Sequence, residues 1–323
     1  MKKLLSALAA LVMLLSCLMA PAALADDKIS VVTTIFPIYD WVRQVAGDNL
    51  SNMDLTMLLD NGVDLHSYQP TAQDILKVST ADLFIYAGGE SDEWVEDVLE
   101  AAPNADTRTI NLVEAMGEDI KMEELVEGME HAHEHEHEHE EEEEEADEHV
   151  WLSLRNAEKL VKVIADTLAE IDAANADAYQ ANAAAYIEKL AALDGEYQKA
   201  VDIANVSTVL FGDRFPFRYM VDDYGLSYYA AFSGCSAESE ASFATVVFLA
   251  QKVNELNLPA VLTIEGANHR IAETVVATSD AKAAKILSMD SLQSTTSADV
   301  KNGVTYLSVM ESNLAVLKEA LGL

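Results

Sequence analysis

Two runs of alternating strand and helix patterns, separated by a long helical region, constrain the fold of this chain most. Short runs of apolar and β-branched residues predict strands over 29–34, 54–59, 83–86, 206–211, 226–232, 260–264 and 284–287. Helical patterns lie between most of them, and Thr71 with Asp74 in the following turn predicts the start of a helix over 73–78. This alternation predicts an α/β fold, with mostly parallel sheets that carry helices on both faces.

The intervening region, residues 155–205, is rich in Ala and Leu and places Tyr179, Tyr186 and Leu190 on one helical face. It is too long for a crossover between two strands of one sheet, so it predicts a connector between two lobes. The predicted organisation is an N-terminal α/β lobe over 26–154, a helical linker over 155–205 and a C-terminal α/β lobe over 206–323. Because open α/β sheets bind ligands beyond the carboxyl ends of their strands, we expect the site in loops facing an inter-lobe cleft.

Residues 1–25 are typical of a secretory signal peptide. Two lysines precede an apolar stretch over 4–19 that is too short for a confident membrane span. The sequence Ala-Leu-Ala at 23–25 fits a cleavage site, whereas Leu-Leu-Ser-Cys at 14–17 resembles a lipobox that would be lipidated at Cys17. The residues after Cys17 are not the polar tether of lipoproteins, so we expect cleavage after Ala25, with a lipid anchor at Cys17 as the alternative. Either route predicts an exported chain, on the periplasmic or extracellular face of the membrane.

Composition narrows the classes of partner. Half of the residues are apolar, which supports a folded core, and the formal net charge is -36. Phosphate binding needs clustered Lys and Arg, so nucleic acid is not an expected partner. Cys235 is the only cysteine beyond residue 25 and cannot form an internal disulfide. We interpret it as a small, half-buried residue rather than a metal-binding thiol.

Residues 131–149, HAHEHEHEHEEEEEEADEH, interrupt the α/β pattern. They contain 11 acidic residues and six of the eight histidines of the chain, and no apolar residue larger than Ala. Such a segment cannot pack a core, so we expect a solvated His/Glu-rich loop over 131–148. An acidic linker would explain the glutamates but not the alternating histidines. These predict weak accessory metal binding by His131, His133, His135, His137 and His139.

Two further histidines lie where the predicted strands and helices leave loops. His66 ends the sequence Gly-Val-Asp-Leu-His, and His149 lies in Asp-Glu-His-Val-Trp-Leu beside Trp151. A neutral imidazole suits zinc, manganese and similar ions when a carboxylate or carbonyl fixes its tautomer. Either histidine alone has an ordinary structural interpretation as well.

Longer stretches resemble one family, the zinc and manganese solute-binding proteins of ABC importers. They follow the family's order over nearly the whole chain beyond residue 25: VVTTIFPIYDWVRQVAG, GVDLHSYQPTAQDILKVSTADLFIYAGG, DEHVWLSLRNA, NADAYQANAAAYIEKLAALD, FRYMVDDYGLSYYAAFSGCSAESEAS and YLSVMESNLAVLKEAL. The resemblance implies two α/β lobes rigidly bridged by a long helix, with the metal in the cleft between them. Zinc members of the family often carry a His-rich acidic loop, which manganese members generally lack.

The resemblance also implies a ligand set. His66 and His149 match the family's first two histidine ligands, and Asp290 matches a late aspartate ligand. The third position, His in zinc binders and Glu in manganese binders, falls on Arg214, which offers no lone pair to a cation. The neighbouring Asp213 would replace it after a small shift of the loop.

Arg214 itself has several possible orientations. It would pair with Asp213 or Asp290, or point outward on the rim of the cleft. We expect it to turn away from the metal. A second departure is Glu148, which stands where the family usually has Pro.

The predicted function is an extracytoplasmic, monomeric binding protein that captures Zn²⁺ and delivers it to the membrane permease of an ABC transporter. A manganese-binding homologue, and a surface adhesin or metal buffer, are the alternatives. A metal-dependent hydrolase is not expected, because the chain contains neither a His-Glu-x-x-His helix nor a Gly-x-Ser-x-Gly turn.

Overall fold

A computed structural model describes residues 28–101, 104, 106–129, 145–236, 240–266 and 268–323. The predictions made for the signal peptide, for Cys17 and for the loop histidines 131–139 lie outside these residues.

The N-terminal lobe contains a sheet of four parallel strands in the order β2-β1-β3-β4. Its strands are β1 (Ile29–Thr33), β2 (Met53–Met57), β3 (Leu83–Tyr86) and β4 (Arg108–Asn111). Its helices are α1 (Phe36–Ala46), α2 (Ala72–Ser79), α3 (Trp94–Glu100) and α4 (Leu112–Met116). Most residues of the central strands β1 and β3 are apolar and buried, as expected for a sheet covered on both faces.

Two long helices follow, α5 (Leu154–Ile171) and α6 (Ala176–Asp202). The break between them lies where Asp172 accepts hydrogen bonds from the side chains of Asn175 and Tyr179, both at 2.7 Å. The second helix packs against α5 and α1, and the hydroxyl of Tyr197 donates to the carbonyl of Met310 at 2.7 Å. It therefore contacts the N-terminal lobe and the last helix of the chain.

The C-terminal lobe repeats the architecture with a second parallel sheet, in the order β6-β5-β7-β8. Its strands are β5 (Thr208–Phe215), β6 (Ser227–Ser233), β7 (Ala260–Thr263) and β8 (Lys285–Ser288). Its helices are α7 (Arg218–Tyr224), α8 (Phe243–Glu255), α9 (Arg270–Thr278), α10 (Ser297–Lys301) and α11 (Tyr306–Ala320). The predicted fold class, two α/β lobes with parallel sheets, is confirmed.

One strand differs from its prediction in a way that concerns the site. Strand β5 was expected to end at Phe211, but it continues through a register shift between Phe211 and Arg214 as far as Phe215. At the shift, a Cβ on Gly212 would lie 2.6 Å from the Cα of Ala272, so this glycine lets α9 approach the strand closely. Asp213 and Arg214 therefore lie on a strand, and the expectation of a loop is wrong for both.

None of the helices in the described ranges is both long and apolar enough to cross a membrane.

Candidate metal centre

His66 is held by the turn that follows β2. The side chain of Asp64 accepts a hydrogen bond from the backbone N–H of His66 at 3.0 Å and caps a single 3₁₀ turn, Leu65–Ser67. Leu65 is fully buried and fixes the turn to the core. The Nδ1 atom of His66 then lies 2.9 Å from Glu148 Oε1 and 2.9 Å from Ser91 Oγ. One ring nitrogen is thus engaged with a carboxylate and a hydroxyl.

His149 is held in the same manner by its own chain segment. Asp147 Oδ1 accepts from the backbone N–H of His149 at 2.9 Å and lies 3.0 Å from its Nδ1. The imidazole is fully buried, and the next turn is anchored because the indole N–H of Trp151 donates to the carbonyl of Ser291 at 2.9 Å. This last bond ties the histidine turn to the C-terminal lobe.

The two imidazoles face each other through their other nitrogens, with Nε2 of His66 3.1 Å from Nε2 of His149. In a neutral imidazole whose Nδ1–H donates to a carboxylate, Nε2 carries a lone pair. Two lone pairs directed at the same small space favour a shared proton or a cation. A histidine backed by a carboxylate is also the usual arrangement around zinc, because the carboxylate fixes the tautomer and makes the imidazole more basic.

The electrostatics of this pair are dominated by burial and by charge pairing. Burial lowers the pKa of His149, but the carboxylates of Asp147, Glu148 and Glu123 together outweigh it and hold that pKa above its ordinary value. Burial opposes ionisation of Glu148, yet the hydrogen bond from His66 and the nearby imidazoles hold its pKa below the usual range. The carboxylates are therefore ready to balance a positive charge between the rings.

Glu148 and Asp147 were expected in the solvated His/Glu-rich loop, and that expectation is wrong for both residues. Ala146 pairs with Met122 in an antiparallel bridge, and Asp147 and Glu148 are only 3% and 1% exposed. Ser91 Oγ donates to Glu148 Oε1 at 2.5 Å. Burial is possible here because both carboxylates have imidazole and hydroxyl or backbone partners.

Cys235 enters the site from the loop after β6. The backbone N–H of Cys235 donates to Glu123 Oε1 at 3.0 Å, and Gly234 allows the close approach, since a Cβ there would lie 3.0 Å from His149 Cε1. The ligand atoms of His66, His149 and Cys235 all lie within 4.8 Å of one another, and no other such group of His, Cys, Asp or Glu occurs in the described part of the chain.

The sequence analysis interpreted Cys235 as a packing residue and did not predict its place beside the two histidines. The available signal was its place just beyond the predicted strand 226–232, since the carboxyl ends of parallel strands converge on the ligand site. Burial and the neighbouring Glu148 raise the pKa of the free thiol well above its ordinary value.

The two predicted aspartates lie outside this three-residue group. Asp290 follows β8, where its Oδ1 accepts from the N–H of Leu292 at 2.7 Å. Burial, with the charge of Glu265, raises the pKa of Asp290 to about 6. Both oxygens of Asp213 accept backbone hydrogen bonds, from the N–H of Arg214 at 2.9 Å and of Ile264 at 3.2 Å. Their assignment as ligands stays a prediction.

Arg214 pairs with a residue that the sequence did not single out. Its guanidinium binds both oxygens of Asp64, at 2.5 and 3.4 Å, and Nη1 donates to the carbonyl of Ser236 at 3.4 Å. Burial raises the pKa of Asp64, but the ion pair with Arg214 and the interactions with His66 together outweigh it and lower that pKa below its usual value. Asp64 also caps the turn of His66, so Arg214 links β5 of one lobe to a histidine turn of the other.

Comparison with known proteins identifies relatives of this chain. Residues 31–320 match the family described as ZnuA, zinc-uptake complex component A, periplasmic. The chain is 34% identical over 295 residues to the zinc-binding lipoprotein AdcA of Streptococcus pneumoniae, covering 91% of this chain and 56% of that protein. It is 31% identical to the high-affinity zinc uptake system protein ZnuA of Bacillus subtilis, covering 91% of this chain and 88% of the relative. The chain thus spans little more than half the length of the AdcA relatives.

Solved structures agree with the fold. The Zn(II)-bound ZnuA-like domain of Streptococcus pneumoniae AdcA superposes with a TM-score of 0.70 at 31% identity, covering 92% of this chain and 100% of that one. The metal-dependent lipoprotein YcdH of Bacillus subtilis gives a TM-score of 0.72 at 27% identity, covering 91% and 100%.

Proposed function

Because the chain belongs to the ZnuA family of periplasmic zinc-uptake components, we propose that it captures Zn²⁺ outside the cytoplasm and delivers it to the permease of an ABC transporter. One observation carries this proposal. Two buried imidazoles from separate turns direct Nε2 atoms 3.1 Å apart into one space, and each has a carboxylate on its Nδ1. This arrangement suits a borderline divalent cation and no organic ligand of appreciable size.

The proposed ligands are His66 and His149 from the N-terminal lobe and Asp290 from the C-terminal lobe. Asp290 is a half-buried carboxylate beside Glu265, and a cation would relieve the repulsion between them. Asp213 is the weaker candidate, since each of its oxygens already accepts a backbone hydrogen bond. Manganese remains the alternative cargo, because carboxylates accept it as well.

The other elements of the proposal concern the whole protein. We infer that the protein is a monomeric transport component without catalytic activity, and that residues 131–139 are a weak accessory metal binder. We also infer that it is exported, either by cleavage after Ala25 or with a lipid anchor at Cys17. We also propose that the N-terminal lobe ends at residue 154 and that the helical linker ends at residue 205. An adhesin or metal buffer in which the His/Glu-rich loop is itself the function would need no tight site between the lobes.

Calorimetric titration with zinc, at limiting metal, tests the proposal. H66A and H149A should each weaken the tight phase by about 100-fold, since a structural zinc site is worth roughly 10–16 kcal/mol shared among about four ligands. H139A is the matched control, because it removes one loop imidazole and should leave the tight phase unchanged. Equal tight affinity in the parent and both variants would refute the proposed site.

Removing the loop separates the transport component from the metal buffer. The deletion must spare residues 145–148, because Glu145 and Ala146 pair with residues 123 and 122, and Asp147 and Glu148 are buried beside the imidazoles. Residues 131–144 are therefore the segment to replace with a short Gly-Ser linker. We expect the weak phase to disappear and one tight zinc to remain. Loss of the tight phase would indicate that the loop is the principal site.

A further inference from the structure

We propose that the sulfur of Cys235 is a protein ligand of the captured ion, so that two imidazoles and one thiolate bind it together. This inference rests on the proposed function and specifies its chemistry. The three ligand atoms lie within 4.8 Å of one another, a spacing from which small side-chain rotations bring all three onto one ion.

The position of the sulfur is built by its surroundings. Glu123 Oε1 accepts a hydrogen bond from the backbone N–H of Cys235 at 3.0 Å, which fixes the position of the loop. Gly234 lets that loop pack directly against His149, because any side chain there would meet the imidazole at about 3 Å. The loop also belongs to the C-terminal lobe, so a Cys235–metal bond would join the two lobes through the ion.

The C-terminal lobe offers few other donors near the imidazoles, because Asp290, its proposed ligand, lies outside the three-residue group. Arg214, on the neighbouring strand β5, has no lone pair, and its guanidinium is occupied by Asp64. Asp213 is occupied by backbone N–H groups. Cys235 is the remaining ligand-type side chain that the described structure places with both histidines.

The binding step is balanced by release of one proton. The S–H bond of Cys235 breaks, a sulfur lone pair forms the bond to the metal, and the proton leaves to solvent. Glu148 Oε1, 3.8 Å from the sulfur, is an acceptor within reach of the thiol. A thiolate is a soft ligand, so it favours zinc over manganese at a site that would otherwise contain only nitrogen and oxygen donors.

Cobalt(II) is the probe that separates this inference from the proposed function. Cobalt bound by a thiolate shows a sulfur-to-metal charge-transfer band in the near ultraviolet, which imidazole and carboxylate ligands do not give. The full chain, reduced and loaded with one equivalent of cobalt, should show the band. C235S should lose it, keep the visible cobalt bands, and bind zinc at least about tenfold more weakly. C17S, the matched control for the other cysteine, should keep the band.

Three outcomes are possible. The band in the parent and in C17S, lost in C235S, supports thiolate ligation. No band in a parent whose tight cobalt binding is abolished by H66A and H149A would overturn the cysteine assignment and leave the proposed function standing. Tight cobalt binding that is indifferent to both histidine variants would overturn the proposed function, and the cysteine assignment with it.

Discussion

The two lobes contribute unequally organised halves to the site. The N-terminal side, comprising His66, Asp147, Glu148 and His149, places each imidazole against its own carboxylate. The C-terminal side, comprising Asp213, Arg214, Cys235 and Asp290, has its polar groups engaged with backbone N–H groups or with the opposite lobe. The N-terminal side is therefore arranged for an ion in advance, whereas we expect the C-terminal side to supply ligands only by exchanging existing contacts.

This difference teaches where affinity and where specificity arise. Preorganised imidazoles lose little conformational entropy on binding, so we expect the N-terminal side to supply most of the free energy of metal binding. We expect the C-terminal side to set the hardness of the donor set, because a thiolate, a carboxylate or a water there changes the preference between zinc and manganese.

The largest expected effect on zinc affinity distinguishes the two aspartates of the C-terminal side. D290A should weaken zinc binding by about 100-fold if Asp290 is a direct ligand. D213A should weaken it less than about tenfold, because both oxygens of Asp213 already support the backbone around β5. Zinc calorimetry on the two variants, each compared with its Asn counterpart, measures the difference.

D213A should instead lower the free energy of unfolding by about 1–3 kcal/mol, since it leaves the N–H of Ile264 without its acceptor. Chemical denaturation of the metal-free protein measures this effect. A larger loss of zinc affinity in D213A than in D290A would reverse the proposed roles of the two aspartates.

The second prediction concerns the N-terminal side. D147N removes the carboxylate on Nδ1 of His149 and should weaken zinc binding at neutral pH by about 10–100-fold. Burial lowers the pKa of His149, but Asp147 together with Glu148 and Glu123 raises it by more, so in the parent protons compete with zinc from a pH above the ordinary imidazole value of about 6.5. In D147N the acid loss of zinc should begin at lower pH.

The stability of the metal-free protein should depend on pH for the same reason. A raised folded pKa means that protonated His149 stabilises the metal-free protein at low pH, and that this contribution is lost as the pH rises through the folded pKa. The parent should therefore exceed D147N in unfolding free energy most at acidic pH. A D147N variant with unchanged zinc affinity and an unchanged pH profile would mean that Asp147 only caps the turn.

The sequence predicted the local features of this molecule well because their causes are local. The start of α2 at Thr71, reciprocally capped with Asp74, follows from side chains three residues apart. Strand β4 was not predicted, because its four residues are an edge strand with only Ile110 buried and carry no apolar alternation. The family resemblance brought His66 and His149 together, although 83 residues separate them.

The C-terminal side could not be predicted in the same way. The partner of Arg214 is Asp64, 150 residues away and on the other lobe, and no spacing or periodicity connects them. Cys235 likewise depends on the packing of its loop against His149, which only the assembled lobes determine. Arg214 departs from the family pattern, and the contacts that it makes instead depend on tertiary structure.

The smallest expected effect on zinc affinity comes from the Arg214–Asp64 ion pair, which links the two sides. R214A removes a pair that is 15% and 28% exposed, so it should lower the unfolding free energy of the metal-free protein by only about 1–2 kcal/mol. The lowered pKa of Asp64 implies that this contribution is present at neutral pH and is lost as the pH falls through the folded pKa. Parent and R214A should therefore converge in stability on acidification.

Zinc affinity in R214A should be equal to that of the parent or slightly tighter, because a positive charge near the site is removed while the Asp64 carboxylate remains to cap the turn of His66. R214K is the matched control: it keeps the charge but loses the two-pronged contact, so it should share the stability loss without any gain in affinity. A fall of more than about tenfold in R214A would contradict the independence of the two sides. It would show that Arg214, by holding Asp64, organises the histidine turn, and that the N-terminal side is preorganised only with help from the other lobe.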